Sequence, residues 1–215
     1  MRSKTTLIIP ALNEQDTIAR VIRGARHYVD EIIVVSDGSK DKTAERARKA
    51  GAVVLVHKAN QGYDTAVDSG FALAAKRGAG IFITFDADGQ HNPEDLPKFI
   101  KPIKQGIADV VMGRRQRKQR LAEHVFGWYS WLKMRHDDPF CGLKSYSRAV
   151  YDSLGFFDRI GSIGTQLQFH AAKRGFRIKK VQIHIRERKD QPRFATRLRG
   201  NWKLFKAFLK ILRRY

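Results

Sequence analysis

The chain has 215 residues, with 42 Lys and Arg against 21 Asp and Glu, a formal charge of +21. That length suits one sizeable α/β domain with a real core and is short for two, and the single cysteine, Cys141, excludes an internal disulfide and fits a reducing compartment. The N-terminal run Leu7-Ile8-Ile9 before Pro10 is not a secretory signal and no apolar stretch is long enough to span a bilayer, so a cytoplasmic protein is expected, with any membrane contact made at a surface.

Strand and helix patterns alternate from the start. Thr5–Ile9 is a predicted strand, and Asn13 is the expected cap of a helix with Ile18, Val21, Ile22 and Ala25 at helical spacing. Ile32–Val35 is a second strand; a polar helix runs from about Asp41 to Gly51, then a third strand, Ala52–Val56. Residues 61–77 read as a helix closed by Gly78, with a fourth strand next, Ile81–Phe85. Asn92-Pro93 is a helix start, shortened by Pro97 and Pro102, and Ala108–Met112 is a fifth strand. The continuous apolar character of these strands predicts a parallel sheet covered on both faces. Beyond Gly113 the pattern gives helices at Leu121–Met134, Thr165–Arg174 and Asn201–Arg214, with short strands at Leu143–Tyr146 and Ile178–Ile185.

The chemistry gathers at the strand ends. The fourth strand runs into Asp86-Ala87-Asp88-Gly89-Gln90-His91. Strand side chains alternate faces, so the two carboxylates project the same way, and ligands of parallel sheets collect beyond these ends. Two hard oxygen ligands suit Mg²⁺ or Mn²⁺ shared with a substrate's phosphates. Alone, an Asp-x-Asp is weak. Three further polar turns close the first three strands: Pro10-Ala11-Leu12-Asn13-Glu14, Ser36-Asp37-Gly38-Ser39 and Asn60-Gln61-Gly62. Each could be a cap or tight turn, but all four fall on one rim in order. His91, His124, His136 and His170 lack metal-like spacing and read as structural or solvent-facing.

This series resembles the family 2 glycosyltransferases of the GT-A fold, a Rossmann-like, mostly parallel sheet flanked by helices. Asp138-Pro139-Phe140-Cys141-Gly142-Leu143-Lys144-Ser145-Tyr146 is similar to the Asp-x-x-Ser-Gly-Phe-x-x-Tyr segment of dolichyl-phosphate mannose synthases and their undecaprenyl-phosphate relatives, with Cys141 for serine and Leu143 for phenylalanine. The resemblance implies a donor-nucleotide pocket of Pro10, Leu12, Glu14, Asp37, Asn60, Asp86, Ala87 and Asp88, and a divalent metal, Mg²⁺ or Mn²⁺, held by Asp86, Asp88 and Gln90. It places Arg114 at a phosphate of the donor or acceptor and Asp138 near the reacting centre. Arg188 and Arg193 are approximate counterparts of the family's downstream phosphate-binding element. The donor it implies is a UDP-, GDP- or dTDP-linked sugar; the acceptor is a polyprenyl phosphate or a cell-envelope glycan, reached with inversion at the anomeric carbon. A phosphate acceptor is already ionised and needs no strong base, whereas a sugar hydroxyl needs one, for which Asp138 or Asp137 is the first candidate.

The basic excess lies after Gly113, in Arg114–Arg120, in residues 173–199 and in the last turns. Residues 1–200 are expected to form the catalytic domain, and 201–215 a basic amphipathic helix. There Lys203, Lys206, Lys210, Arg213 and Arg214 oppose Trp202, Phe205, Phe208, Leu209 and Leu212, a pattern shared by helices at anionic membrane surfaces and by terminal helices packed on a core. A charge of +21 also suits a nucleic-acid-binding protein, and a transferase using a soluble acceptor has the same fold class. The nucleic-acid alternative leaves the strand-end motifs unexplained, and no nucleic-acid partner is expected.

Overall fold

The computed structural model describes residues 3–116, 121–186 and 197–215. Seven strands form one sheet: β1 (Thr5–Ala11), β2 (Glu31–Asp37), β3 (Val53–His57), β4 (Ile81–Thr84), β5 (Val110–Arg115), β6 (Lys144–Ser147) and β7 (Ile178–Ile183). Their order is β3-β2-β1-β4-β6-β5-β7. Six run parallel, and β6 lies antiparallel to both β4 and β5. The sheet is thus mostly parallel, as expected, with β6 its one reversed strand among the described residues. It follows α5 (Leu121–Met134) and leads directly into α6 (Arg148–Leu154).

The alternation of apolar residues sends Leu7, Ile9, Val34, Ile81 and Ile83 to one face and Ile8, Ile33, Val35, Phe82 and Val110 to the other. The first face is covered by α1 (Ile18–Ala25), α2 (Thr43–Lys49) and α4 (Leu96–Lys104). The second is covered by α3 (Tyr63–Lys76), α5 (Leu121–Met134), α6, α7 (Gln166–Lys173) and α8 (Arg197–Arg214). Helix α8 buries Leu204 and places Ala207 and Ile211 in this second core, with Phe208 against Phe126 and Tyr129 of α5.

One local expectation differs, and one helix, α6, is additional to those expected. Asn13 does not cap α1. It takes a left-handed conformation (φ 52°), its N–H donates to Ser39 Oγ at 3.1 Å, and its Oδ1 accepts from Lys40 N at 2.8 Å, so it ties the β1 turn to the β2 turn. The helix begins at Ile18 instead. Helix α6 carries both end signals, Ser147 Oγ accepting from Val150 N and Gly155 in the left-handed region, but its seven residues are too few to show a period.

Helix α3 approaches the sheet closely enough to need a glycine. A Cβ on Gly70 would collide with Ile8 Cγ2 and stand 3.2 Å from Val35 Cγ2. Gly70→Val is therefore expected to destabilise the protein by roughly 1–3 kcal/mol through overpacking. Thermal denaturation should show a fall in Tm of several degrees, and an unchanged Tm would contradict this packing.

Candidate active site

The strand-end turns enclose a cleft of about 450 Å³. Pro10, Ala11 and Leu12 enter it from β1. Glu14 comes next in the turn; its N–H donates to Thr43 Oγ1 at 2.7 Å and its Oε2 accepts from Thr17 Oγ1 at 2.9 Å. Asp37, at the end of β2, is buried and organises the neighbouring turn. Its Oδ1 accepts from Gln61 N at 2.9 Å and meets His57 Nδ1 at 2.7 Å, while its Oδ2 accepts from Gly62 N at 2.9 Å. That grip brings the first turn of α3, with Gly62, Tyr63 and Ala66, to the cleft wall beside Asn60. Gly38 (φ 71°) lets the two turns touch, since a Cβ there would overlap Asn60 N.

Asp86, Ala87 and Asp88 form the floor after β4. Asp86 Oδ2 lies 3.0 Å from Nε2 of the buried His91, and Asp88 Oδ1 accepts from Gln90 N at 3.0 Å. Burial alone would raise the Asp86 pKa. The hydrogen bond from His91, with Arg115 and Lys144 nearby, outweighs it and holds the carboxyl below its ordinary value. Gly142 packs directly on this carboxylate; a Cβ there would overlap Asp86 Oδ2. Phe140, Cys141, Lys144 and Ile163 complete the lining. Burial pushes the Cys141 thiol up to about 12, so it is inert as a thiolate.

All eight residues expected at the nucleotide, Pro10, Leu12, Glu14, Asp37, Asn60, Asp86, Ala87 and Asp88, line this one cleft. Gln90 does not join Asp86 and Asp88 there: its Nε2 donates to Arg186 O at 3.3 Å, away from the lining. Arg114 and Asp138 are also outside the lining. Arg114 is half-exposed and pairs with Asp137 through Nε (2.8 Å) and Nη2 (3.1 Å). Asp138 is buried and held by Arg115: Oδ2 accepts from Arg115 N (2.8 Å) and Nε (2.9 Å), and Oδ1 from Nη2 (2.7 Å). Arg188 and Arg193 lie outside the described residues. Sequence reasoning missed His57, His91, Tyr63, Ile163 and Lys144, although Lys144 stands inside the segment that carried the resemblance.

The carboxylates on the floor fit a hard divalent cation. Among the described residues no group of three or more His, Cys, Asp or Glu side chains could hold a metal ion. Asp86 and Asp88 therefore match a cation that takes its other ligands from substrate phosphates and water, as Mg²⁺ commonly does.

Strand order, the cleft at the rim and the paired aspartates define a GT-A-type α/β domain. The chain belongs to glycosyl transferase family 2, whose family model matches residues 6–163. It is 34% identical to a dolichol-phosphate mannosyltransferase of Pyrococcus furiosus, over 94% of this chain and 59% of that protein. It is 30% identical to a dolichyl-phosphate hexose transferase of Haloferax volcanii, over 95% of this chain and 92% of that protein. A UDP-N-acetylglucosamine–dolichyl-phosphate N-acetylglucosaminyltransferase of Methanococcus voltae is 37% identical over 51% of each chain. The chain spans about half the length of the Methanococcus protein and of two other curated relatives that it matches. Among solved structures, the chain is similar to Mycobacterium tuberculosis glucosyl-3-phosphoglycerate synthase. The complex with Mn²⁺ and UDP-glucose gives a TM-score of 0.72 at 25% identity, over 89% of this chain and 73% of that one. The complex with phosphoglyceric acid gives 0.79 at 24% identity, over 98% and 80%.

His136 supports the Asp138 backbone from beneath. It is fully buried, and its Nε2 donates to Asp138 O at 2.9 Å. Burial pushes its pKa down to about 4 from an ordinary 6.5. The unfolded chain therefore binds this proton between those values while the folded chain refuses it, and stability is lost as pH falls from 6.5 toward 4. The expected loss from this group is roughly 2 kcal/mol between pH 7 and pH 5. Urea titrations should show His136→Gln removing that part of the acid sensitivity; an identical pH slope in the variant would contradict it.

Proposed function

We propose that this chain transfers a hexose from a nucleotide-sugar donor, with a divalent cation, to a lipid-linked phosphate at an anionic membrane surface. The observation that carries the donor half is the convergence of all eight nucleotide-site candidates on one cleft whose floor holds Asp86 and Asp88. The Mn²⁺ and UDP-glucose of the similar solved structure support the same reading.

The chemistry is set by charge. Cleavage of the sugar–phosphate bond develops positive character on the sugar and leaves negative charge on the departing diphosphate. A cation bound at Asp86 and Asp88 would neutralise part of that charge. The protein's own residues position the donor: Asp37 fixes the Gln61–Gly62 turn, His91 holds the Asp86 carboxylate, and Gly142 leaves it room. The acceptor half rests on Asp138. A carboxylate held by three N–H donors of Arg115 is poorly placed to take a hydroxyl proton, which favours an acceptor that arrives ionised. The names of the Pyrococcus and Haloferax relatives agree.

The outer surface of α5 and α8 supports the membrane. No described helix is long and apolar enough to cross a bilayer. Yet the chain's three tryptophans, Trp128, Trp131 and Trp202, are 66%, 44% and 58% exposed on these two packed helices, together with Val125, Leu132, Phe205 and Leu212. Exposed Lys133, Arg135, Lys206, Lys210 and Arg213 accompany them. Interfacial tryptophans beside basic residues match the headgroup layer of anionic lipid.

Two measurements test this. In a thermal-shift panel of UDP-, GDP- and dTDP-sugars, one donor is expected to raise the Tm in Mn²⁺ and not in EDTA, and Asp88→Asn should lose the effect. Failure of every donor would sink the donor reading. In sedimentation with phosphatidylglycerol vesicles, the double variant Trp128→Ser, Trp131→Ser should bind at least tenfold more weakly than the parent, and binding of the parent should weaken with salt. Equal binding by the two proteins would rule this surface out.

A further inference from the structure

Among the described residues, the cleft is lined by four carboxylates, Glu14, Asp37, Asp86 and Asp88, and by one cationic side chain, Lys144. The two arginines at the end of β5 are committed elsewhere, Arg114 to Asp137 and Arg115 to Asp138. Lys144 opens β6 and pairs in register with Thr84, the last residue of β4, two positions before Asp86. Its residue is only 4% exposed. Nζ donates to Gly164 O at 2.9 Å, its one hydrogen-bond partner among the described residues. An ammonium has three donors, so two remain for a ligand. A buried ammonium is costly unless opposite charge surrounds it. Burial pulls its pKa down to about 8, against the opposing pull of Cys141, Asp138, Asp158 and Asp86, so it stays largely charged at neutral pH.

We propose that Lys144 is the protein's own cation for the donor's diphosphate, gripping phosphate oxygen beside the cation site and stabilising the charge that develops there as the sugar leaves. This assignment deepens the donor reading above and rests on it. Gly164 then acts as a resting partner. Its carbonyl belongs to the Ile160–Thr165 loop, which Asp158 pins through Ile160 N, Ser162 N and Thr165 N, and which Asp64 pins through Ile163 N. Ile163 is held at φ 57°, a strained conformation for a β-branched residue, and its side chain lines the same cleft. The loop thus presents a fixed acceptor to the ammonium, and Lys144 is held ready in the cleft wall rather than turned to solvent.

The test is the preference for a diphosphate over a monophosphate. Titration calorimetry in Mn²⁺ compares UDP with UMP, and likewise GDP with GMP and dTDP with dTMP, on the full chain. Three variants separate charge from fold. Lys144→Met removes the charge at similar volume, Lys144→Gln keeps a donor for Gly164 O without the charge, and Lys144→Arg keeps the charge. A Met or Gln variant that still binds the monophosphate as the parent does has a folded cleft. In that variant, diphosphate affinity is expected to fall by on the order of ten- to a hundredfold, while Lys144→Arg keeps most of the preference. A diphosphate-to-monophosphate ratio within twofold of the parent in both Lys144→Gln and Lys144→Met overturns the role of Lys144 and leaves the donor reading standing. A parent chain that binds none of the three diphosphates in Mn²⁺ overturns both.

Discussion

The site depends on one reversal in the sheet. In a parallel sheet the rim at the strands' carboxyl ends collects only the turn leaving each strand, and β1, β2 and β4 supply Pro10–Glu14, Asp37 and Asp86–Asp88 in this way. Because β6 runs the other way between β4 and β5, it brings its beginning to the same rim. Thr84 Oγ1 fastens the junction, donating to Gly142 O at 2.7 Å and accepting from Lys144 N at 3.2 Å. The absent side chain of Gly142 makes the space that the Asp86 carboxylate fills. A parallel β6 would send Gly142 and Lys144 to the opposite end of the sheet. The carboxylate pair would then have neither its close neighbour nor its cationic one.

The charge distribution explains why a strongly basic chain needs a cation in its own cleft. The excess of +21 is spread over surfaces such as the outer side of α8, while the cleft concentrates carboxylates. Asp37 is spent on holding the Gln61–Gly62 turn and His57. Asp86 is kept ionised with the help of His91, so it cannot relieve the negative field by taking a proton at neutral pH. A diphosphate approaching such a floor meets repulsion unless positive charge comes with it or already lies beside it. Divalent-cation dependence is thus a consequence of the lining, and a buried lysine in the wall belongs to the same balance.

The sequence makes legible whatever is contiguous. Each strand-end turn is a short run whose residues enter the cleft together, so Pro10, Asp37, Asn60 and Asp86 can be picked out without knowing the sheet order. The rest depends on strand direction and on register. Lys144 lies two residues beyond Gly142, but only the antiparallel pairing of β6 decides that it meets the end of β4. Arg114 and Arg115 differ by one position on β5, and strand alternation sends one to Asp137 and the other to Asp138. Gln90 lies two residues beyond Asp88, but the chain turns through Gly89 at φ 76°, which breaks the alternation that would have put Gln90 on their side. His91 reads as structural, which it is, yet the group it supports is Asp86.

The lock on Asp138 also narrows what the site can accept. Freeing that carboxylate for base chemistry would strand the Arg115 guanidinium, 13% exposed at its side chain, without its bidentate partner, and leave the buried Asp138 without three donors at once. Breaking a buried pair by losing one partner typically costs about 3–5 kcal/mol, about as much as the roughly 10²–10⁴-fold gain from a single general base supplies, so nothing is gained unless the substrate itself replaces the lost contacts. An anionic acceptor avoids the problem, because it brings its own nucleophilic oxygen already deprotonated and leaves the Arg115–Asp138 pair intact. The same pair then serves as a rigid support between β5 and the segment leading into Gly142, keeping the glycine seated on Asp86. With the anionic acceptor proposed above, Asp138 can remain structural because no base is needed.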